Sequence, residues 1–384
     1  MKCAIVTLLM NGDFYLPGAL VTGYSFKLLS KSRTLEQVSR SLEQVSRSLE
    51  QVSRSLENPN LKIDLVCMVT PDVSPNARQQ LKVIYDLVVE VPYLRYKTNS
   101  LGTRYEETYG HLKDSYYTKW NCLSLDQYEK IILLDIDIVV IKPITHLFTY
   151  SAPAGIFTTS ASSKFPRFDK KKSKGHFDPY PIAENIPIDP RWIDQAFYKS
   201  GSVASANFIL LAPSKTDFDK YKSYMTSESS KPGGYGYSTC VSGHDEQSIT
   251  DFYAYGLKQT WTLLPTYYNW VCWNPSSLIG PDHRYHTPYT LHFLHSPKPW
   301  DPKVKLDYLD ILAWTDCYQL MIKDNPELVP LSHLVGVKTS PVCWFCDLLN
   351  RSQMFIPKNI EHTFYQCDPP MTINCPIMNK PIVI

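Results

Sequence analysis

The run KIILLDIDIVVI, residues 130–141, is Ile, Leu and Val after its opening lysine, broken only by Asp135 and Asp137. A short apolar run rich in β-branched residues reads as a strand buried on both faces, the kind found inside a parallel sheet. Two ionisable groups in such a strand are costly to desolvate unless they have a partner. Side chains two apart share one side of an extended strand, so together the two carboxylates can hold one hard divalent cation at the strand's carboxyl end.

Upstream, short apolar runs alternate with amphipathic stretches. CAIVTLL (3–9), IDLVCMV (63–69) and LVVEVPY (87–93) read as strands. Residues 17–29, 74–85 and 117–127 read as helices, the second with Ser74 as N-cap and Pro75 at the first helical position. This order predicts an α/β fold, a doubly wound, mostly parallel sheet whose ligand crevice lies beyond the strand carboxyl ends. Downstream, residues 157–199 are rich in Pro, Lys and aromatics and read as a long loop or flap, with Asp169 to Lys172 as a solvated charge run. SANFILLAPS (205–214) reads as a strand, 217–225 and 244–254 as helices. The glycines of KPGGYGY (231–237) follow no strand, so they do not read as a phosphate cradle. Residues 1–300 are expected to form one domain, with 301–384 as an irregular, helix-bearing C-terminal extension.

The chain of 384 residues carries 39 Lys and Arg against 37 Asp and Glu, a formal charge of +2, so it has no basic field for a polyanion and no nucleic-acid partner is expected. No apolar run reaches the roughly 18–20 residues that span a bilayer, and the opening MKCAIVTLLMNGD reads as a strand rather than a signal peptide. A cytoplasmic protein with mostly reduced, buried thiols is therefore expected from its ten cysteines. Cys343, Cys346, Cys367 and Cys375 leave a choice between buried thiols, a late disulfide and a zinc site. Residues 34–57 repeat TLEQVSR-SLEQVSR-SLEQVSR-SLE with a period of seven, placing Leu35, Leu42, Leu49 and Leu56 with Val38, Val45 and Val52 on one helical seam. This helical insert reads either as a coiled-coil arm that makes a homodimer or, preferably, as a duplication that lengthens a surface helix.

Two enzyme classes place an Asp-x-Asp at a strand end. Haloacid-dehalogenase-type phosphatases use the first Asp as nucleophile beside magnesium; nucleotide-sugar transferases hold an ion that bridges the donor diphosphate. The phosphatase motif opens its domain, whereas here three β-α units come first. Three separated strings decide the matter. IVTLLMNGDFYLPGALVTGYSFK (5–27), TKWNCLSLDQYEKIILLDIDIVVIKPITHLF (118–148) and HFLHSPKPW (292–300) together resemble, in order, the glycogenin-like members of the family 8 glycosyltransferases. The likeness covers residues 3–30 and about 61–300, leaving the heptads and the last 84 residues without counterpart.

That resemblance implies a GT-A-like nucleotide-sugar transferase fold and a retaining transfer of a hexose from a UDP-sugar to a hydroxyl of a glycan or protein acceptor. It implies Asp135, Asp137 and His292 as ligands of Mn²⁺ or Mg²⁺, an oxygen, oxygen, imidazole set that suits Mn²⁺. It assigns Lys298 to the diphosphate leaving group, and Asp245, in HDEQ, to the donor sugar as a stabiliser of oxocarbenium-like charge. Thr7, Leu8, Asn11 and Tyr15 fall in the uridine pocket, Tyr15 against uracil; Lys119 and Ile136 fall beside the nucleotide. The chain departs from the family at His295, where a glycine is expected near the pyrophosphate, and at Ser205-Ala206-Asn207 in place of Asn-Ser-Gly at the sugar. No equivalent of the self-glucosylated tyrosine follows Tyr267-Tyr268-Asn269. The alternatives are the magnesium phosphatase and a catalytically silent sugar-nucleotide-binding scaffold. Deleting Leu35 to Glu57 is expected to leave the transfer rate within a few-fold, measured by product formation; a hundredfold loss in a folded variant would show that the seam serves catalysis.

Overall fold

The structure, a computed structural model, describes residues 1–31, 61–96, 110–158, 186–188, 203–226, 244–271, 288–294, 296–304, 309–335, 372–375 and 380–383. The heptad insert, most of the 157–199 flap, the 231–237 glycines, His295, and Cys343, Cys346 and Cys367 lie outside the described residues, and Cys375 is described only through its backbone.

Four parallel strands, β1 (Lys2–Leu9), β2 (Lys62–Val69), β3 (Leu87–Glu90) and β4 (Lys130–Leu134), lie in the order β3-β2-β1-β4. Then the direction reverses. β8 (Val203–Leu211) pairs antiparallel with β4 and with β6 (Ala154–Thr158), and β9 (Trp261–Leu263) and β7 (Ile186–Ile188) complete an eight-stranded sheet in which four of seven pairings are parallel. This is the doubly wound, mostly parallel α/β sheet expected from the sequence, its antiparallel part confined to the side beyond β4.

Both faces are covered. Cys3, Ile5 and Leu9 join a cluster with α1 (Leu16–Lys31) and α2 (Pro75–Ile84), whereas Ala4, Val6 and Leu8 join another beneath α3 (Lys215–Thr226), α4 (His244–Asp251) and a 3₁₀ helix, Tyr116–Ser124. The alternation follows from the strand period of two. Ser74 caps α2 by accepting from Ala77 N at 3.1 Å, with Pro75 at the first helical position, as its sequence dictates. The expected helix at 117–127 is the 3₁₀ helix instead, ended when the N–H of Leu125 donates to Cys122 O.

One expectation needs correction. The 130–141 run does not stay extended: β4 stops at Leu134, a turn covers Ile136 and Asp137, and β5 (Ile138–Val140) leaves for a second sheet of order β10-β11-β5, with β10 Trp270–Val271 and β11 Thr290–His292. Asp135 still donates its N–H to Asn207 O at 3.0 Å, but beyond it the chain exchanges β8 for β11 as its neighbour. Beyond residue 300 the extension carries a packed helix. α5 (Leu309–Asp324) and the segment to Leu334 bury Ala313, Trp314, Cys317, Met321, Leu328 and Leu334 in the same cluster as α1. Tyr24 Oη donates to Asp324 Oδ2 at 2.7 Å across that contact. A small hairpin, β12 (Thr372–Cys375) with β13 (Lys380–Val383), follows. Cys3, Cys67, Cys122 and Cys317 are buried, and among the described residues no helix is long and apolar enough to cross a membrane.

Helix α1 meets the turn very closely at Gly18. A Cβ there would lie 2.5 Å from Ile136 O and 2.6 Å from the Trp300 ring. Gly18→Ala is therefore expected to destabilise the protein: overpacking costs roughly 1–3 kcal/mol, only partly offset by the roughly 1 kcal/mol gain in helix propensity. A urea denaturation midpoint at or above the parent's would show that the helix can draw back.

Candidate active site

At the carboxyl edge of the parallel strands, the break in the 130–141 run delivers both aspartates. Asp135 stands at the end of β4 and Asp137 closes the turn, while His292 ends β11 in register with Ile138. One oxygen from each carboxylate and one His292 nitrogen lie within 4.8 Å of one another. His292 is fully buried and neither ring nitrogen has a hydrogen-bond partner. Its Nε2 sits 3.3 Å from Asp137 Oδ1, close enough for attraction but without a hydrogen bond. A buried imidazole left without a donor or acceptor beside two carboxylates fits a divalent cation, since two hard oxygens and one imidazole suit Mn²⁺ or Mg²⁺.

Each aspartate also has a lysine. Lys298, nearly buried, donates to Asp137 Oδ2 at 2.6 Å, Phe293 O at 2.8 Å and Leu294 O at 3.1 Å, which engages all three ammonium protons. Burial by itself would raise the Asp137 carboxyl; the Lys298 charge, then His292, overcome it and hold the group well below the usual carboxylate range. Lys119, on the 3₁₀ helix, donates to Asp135 Oδ1 at 3.0 Å and stands 3.8 Å from Asp245 Oδ2. Burial works against its charge, but Asp135 and Asp245 prevail and raise it above the ordinary lysine value.

Asp245 lies in the first turn of α4, where burial pushes its carboxyl up although Lys119 pulls it down. Its neighbour Glu246 is pushed up to about 8 by burial and then by the Asp245 charge. Glu246 Oε1 accepts from Ala206 N at 2.8 Å, and Thr250 Oγ1 accepts from Ala204 N at 3.1 Å. Those two N–H groups belong to the stretch of β8 at and beside its register shift against β6, and side chains of α4 satisfy them there.

The other expected residues divide. Tyr15 borders the site, its ring edge-on to Trp300 at 5.6 Å and 5.9 Å from Lys298 Nζ. Asn11 is exposed in the left-handed region at the tip of β1, φ 61°, with its N–H donating to Tyr93 Oη at 3.1 Å; Tyr93 Oη also contacts Asp72. Ser205 is buried and Asn207 half-buried beside Asp135. Ile136 is present through its carbonyl, which accepts from Thr22 Oγ1 at 3.0 Å. Thr7 is fully buried on the α1 side of β1, where its side chain donates to Tyr85 Oη at 3.2 Å. Leu8 packs in the opposite cluster. Sequence reading missed Glu246, Asp72 and Tyr93; only Glu246, adjacent to Asp245 in HDEQ, carried a signal that could have found it.

Among known proteins, R707 of Acanthamoeba polyphaga mimivirus is 30% identical over 308 residues, 78% of this chain and 82% of that protein. The chain belongs to the same family as R707. That relative is itself described as uncharacterized, and no protein-family model matches the chain. Among solved structures, the galactosyltransferase LgtC in complex with donor and acceptor sugar analogues is similar at 14% identity and a TM-score of 0.42, over 86% of this chain and 98% of LgtC. Mouse xyloside xylosyltransferase 1 is similar at 10% identity and a TM-score of 0.37, over 77% and 98% of the two chains. Likenesses of that size carry no weight for the chemistry, which rests on the residues above.

Glu246 gives a pH test with a definite sign. Its folded value, about 8, lies above the ordinary 4.5, so folding binds a proton there and stability falls as pH rises from about 4.5 through about 8. Glu246→Gln keeps an acceptor for Ala206 N and does not titrate. Urea denaturation is expected to show the variant gaining on the parent between pH 6 and pH 8.5; parallel profiles would place the proton elsewhere.

Proposed function

We propose that the protein is a metal-dependent, retaining glycosyltransferase that moves a hexose from a UDP-sugar to a hydroxyl of a glycan or protein acceptor. The observation that carries this reading is the convergence of Asp135, Asp137 and His292, whose ring nitrogens have no hydrogen-bond partner, at the carboxyl edge of the parallel strands, with a lysine on each aspartate. The three strings that resemble the family 8 enzymes supply the choice of substrate class. Three carboxylates, Asp135, Asp137 and Asp245, face two ammonium groups, Lys119 and Lys298, so a divalent cation turns the site from negative to positive, as a nucleoside diphosphate requires. Mn²⁺ or Mg²⁺ held by Asp135, Asp137 and His292 would supply charge for the diphosphate as it becomes a leaving group.

The remaining roles belong to the chain's own side chains. Lys298, now paired with Asp137, would release that carboxylate and turn to the phosphoryl oxygens. Tyr15 and Asn11 flank the position of the nucleobase, and His295 replaces the glycine expected near the pyrophosphate. Lys119 holds Asp245 toward Asp135, where its carboxylate would face the donor sugar and stabilise positive charge developing at the anomeric carbon. Ser205 and Asn207 stand where the sugar hydroxyls are read, and their difference from the family's Asn-Ser-Gly sets this chain's choice of sugar apart.

Calorimetry of UDP with Mn²⁺ and with EDTA tests the reading. Binding is expected to be much weaker in EDTA, and Asp137→Asn is expected to abolish transfer while the circular dichroism spectrum is retained. Lys298→Ala is expected to lower kcat more than it raises KM, because leaving-group charge develops mainly in the transition state. Equal UDP affinity with and without metal would sink the proposal. The phosphatase alternative predicts metal-dependent hydrolysis of phosphate esters insensitive to UDP, and the silent binder predicts UDP binding without turnover.

A further inference from the structure

Among the described residues, β5 has one strand neighbour, β11. Its other edge faces α1, and there hydroxyl side chains of the helix take the place of a strand. Thr22 Oγ1 lies 3.0 Å from Ile136 O and 2.7 Å from Ile138 O, and Ser25 Oγ accepts from Val140 N at 3.0 Å while donating to Thr22 O at 2.9 Å. Both side chains are buried. The two carbonyls that Thr22 reaches are those immediately before and after Asp137. The carbonyl of Asp137 itself accepts from Phe293 N at 2.9 Å on the opposite side, next to His292. The backbone of Asp137 is thus gripped by a helix hydroxyl on one flank and by the β11 exit on the other, with its carboxylate 3.3 Å from His292 Nε2. Gly18, four residues before Thr22, has no Cβ to keep the helix away from Ile136 O.

We infer that Thr22 is a positioning residue for the cation site: its hydroxyl holds the chain on both sides of Asp137, so that the ligand atoms of Asp135, Asp137 and His292 stay within reach of one ion. The inference rests on the reading of those three as cation ligands. Val140 and its partner Ser25 provide the control, since Ser25 makes an equally buried bond to the same strand edge three residues beyond Asp137.

The full-length protein is titrated with Mn²⁺ alone, free Mn²⁺ being read from its electron paramagnetic resonance signal, and stability is measured by urea denaturation in EDTA. Thr22→Val is expected to weaken Mn²⁺ binding by about tenfold or more, the scale on which supporting contacts of metal ligands act. Thr22→Ser, which keeps the hydroxyl, is expected to bind like the parent. Ser25→Ala is expected to lose stability comparably and to keep its Mn²⁺ affinity. Thr22→Ala, smaller and without a hydroxyl, replaces Thr22→Val if that variant does not fold. A parent that binds no Mn²⁺ overturns the cation reading and the inference with it. A parent that binds while Thr22→Val or Thr22→Ala binds as tightly overturns the inference alone, as does an Mn²⁺ loss in Thr22 and Ser25 variants that simply follows their loss of stability.

Discussion

Two aspartates at the end of an apolar strand must be matched by positive charge, and the arrangement around β4 follows from that requirement. Asp137 is nearly buried, and an isolated ionised carboxylate there would be too costly to keep. Its lysine comes from Lys298, which lies 161 positions away in sequence, and its imidazole neighbour from β11. Asp135 is matched by Lys119 from the 3₁₀ helix on the other side of the sheet, which also approaches Asp245 in α4. Four elements therefore converge on one turn: three bring the charges of Lys298, Lys119 and Asp245, which would be unstable there without one another, and β11 brings the His292 imidazole. Removing one partner from such a buried set leaves the next uncompensated, which makes the group cooperative.

The same turn is supported from below by α1. Gly18 allows the close approach, Thr22 and Ser25 satisfy the open edge of β5, and Tyr15 at the helix start borders the site. An aromatic series continues outward: Tyr15 meets Trp300 at 5.6 Å, Trp300 meets Trp314 at 5.7 Å, and Trp314 stacks on Tyr318 at 5.4 Å. Because Trp300 is two residues from Lys298, α5 buttresses the segment that carries the lysine. The described segment from Leu309 to Leu334 thus supports the site through packing.

Much of this was legible from local pattern. The strand period in CAIVTLL and IDLVCMV, the Ser74-Pro75 start of α2 and the apolar run before Asp135 each specify their element through neighbours close in sequence. The site was legible to the extent that charge is conspicuous in an apolar strand: Asp135 and Asp137 stand out for that reason, and Lys298 and His292 through their place in HFLHSPKPW. Thr22 and Glu246 act through backbone groups of distant segments, and a side chain that serves another segment's backbone leaves no periodic trace.

The sequence by itself determined that an apolar strand ends in two carboxylates within an α/β order, because hydrophobic period and desolvation cost are local properties of the chain. Only the tertiary structure decided how those carboxylates meet. An extended strand would have placed Asp135 and Asp137 side by side in one sheet, whereas the chain turns between them and hands Asp137 to a second sheet. Which neighbour wins at that point depends on β8, β11 and the hydroxyl face of α1, all remote in sequence. The backbone hydrogen bonds they offer can be counted only once those segments have been brought together.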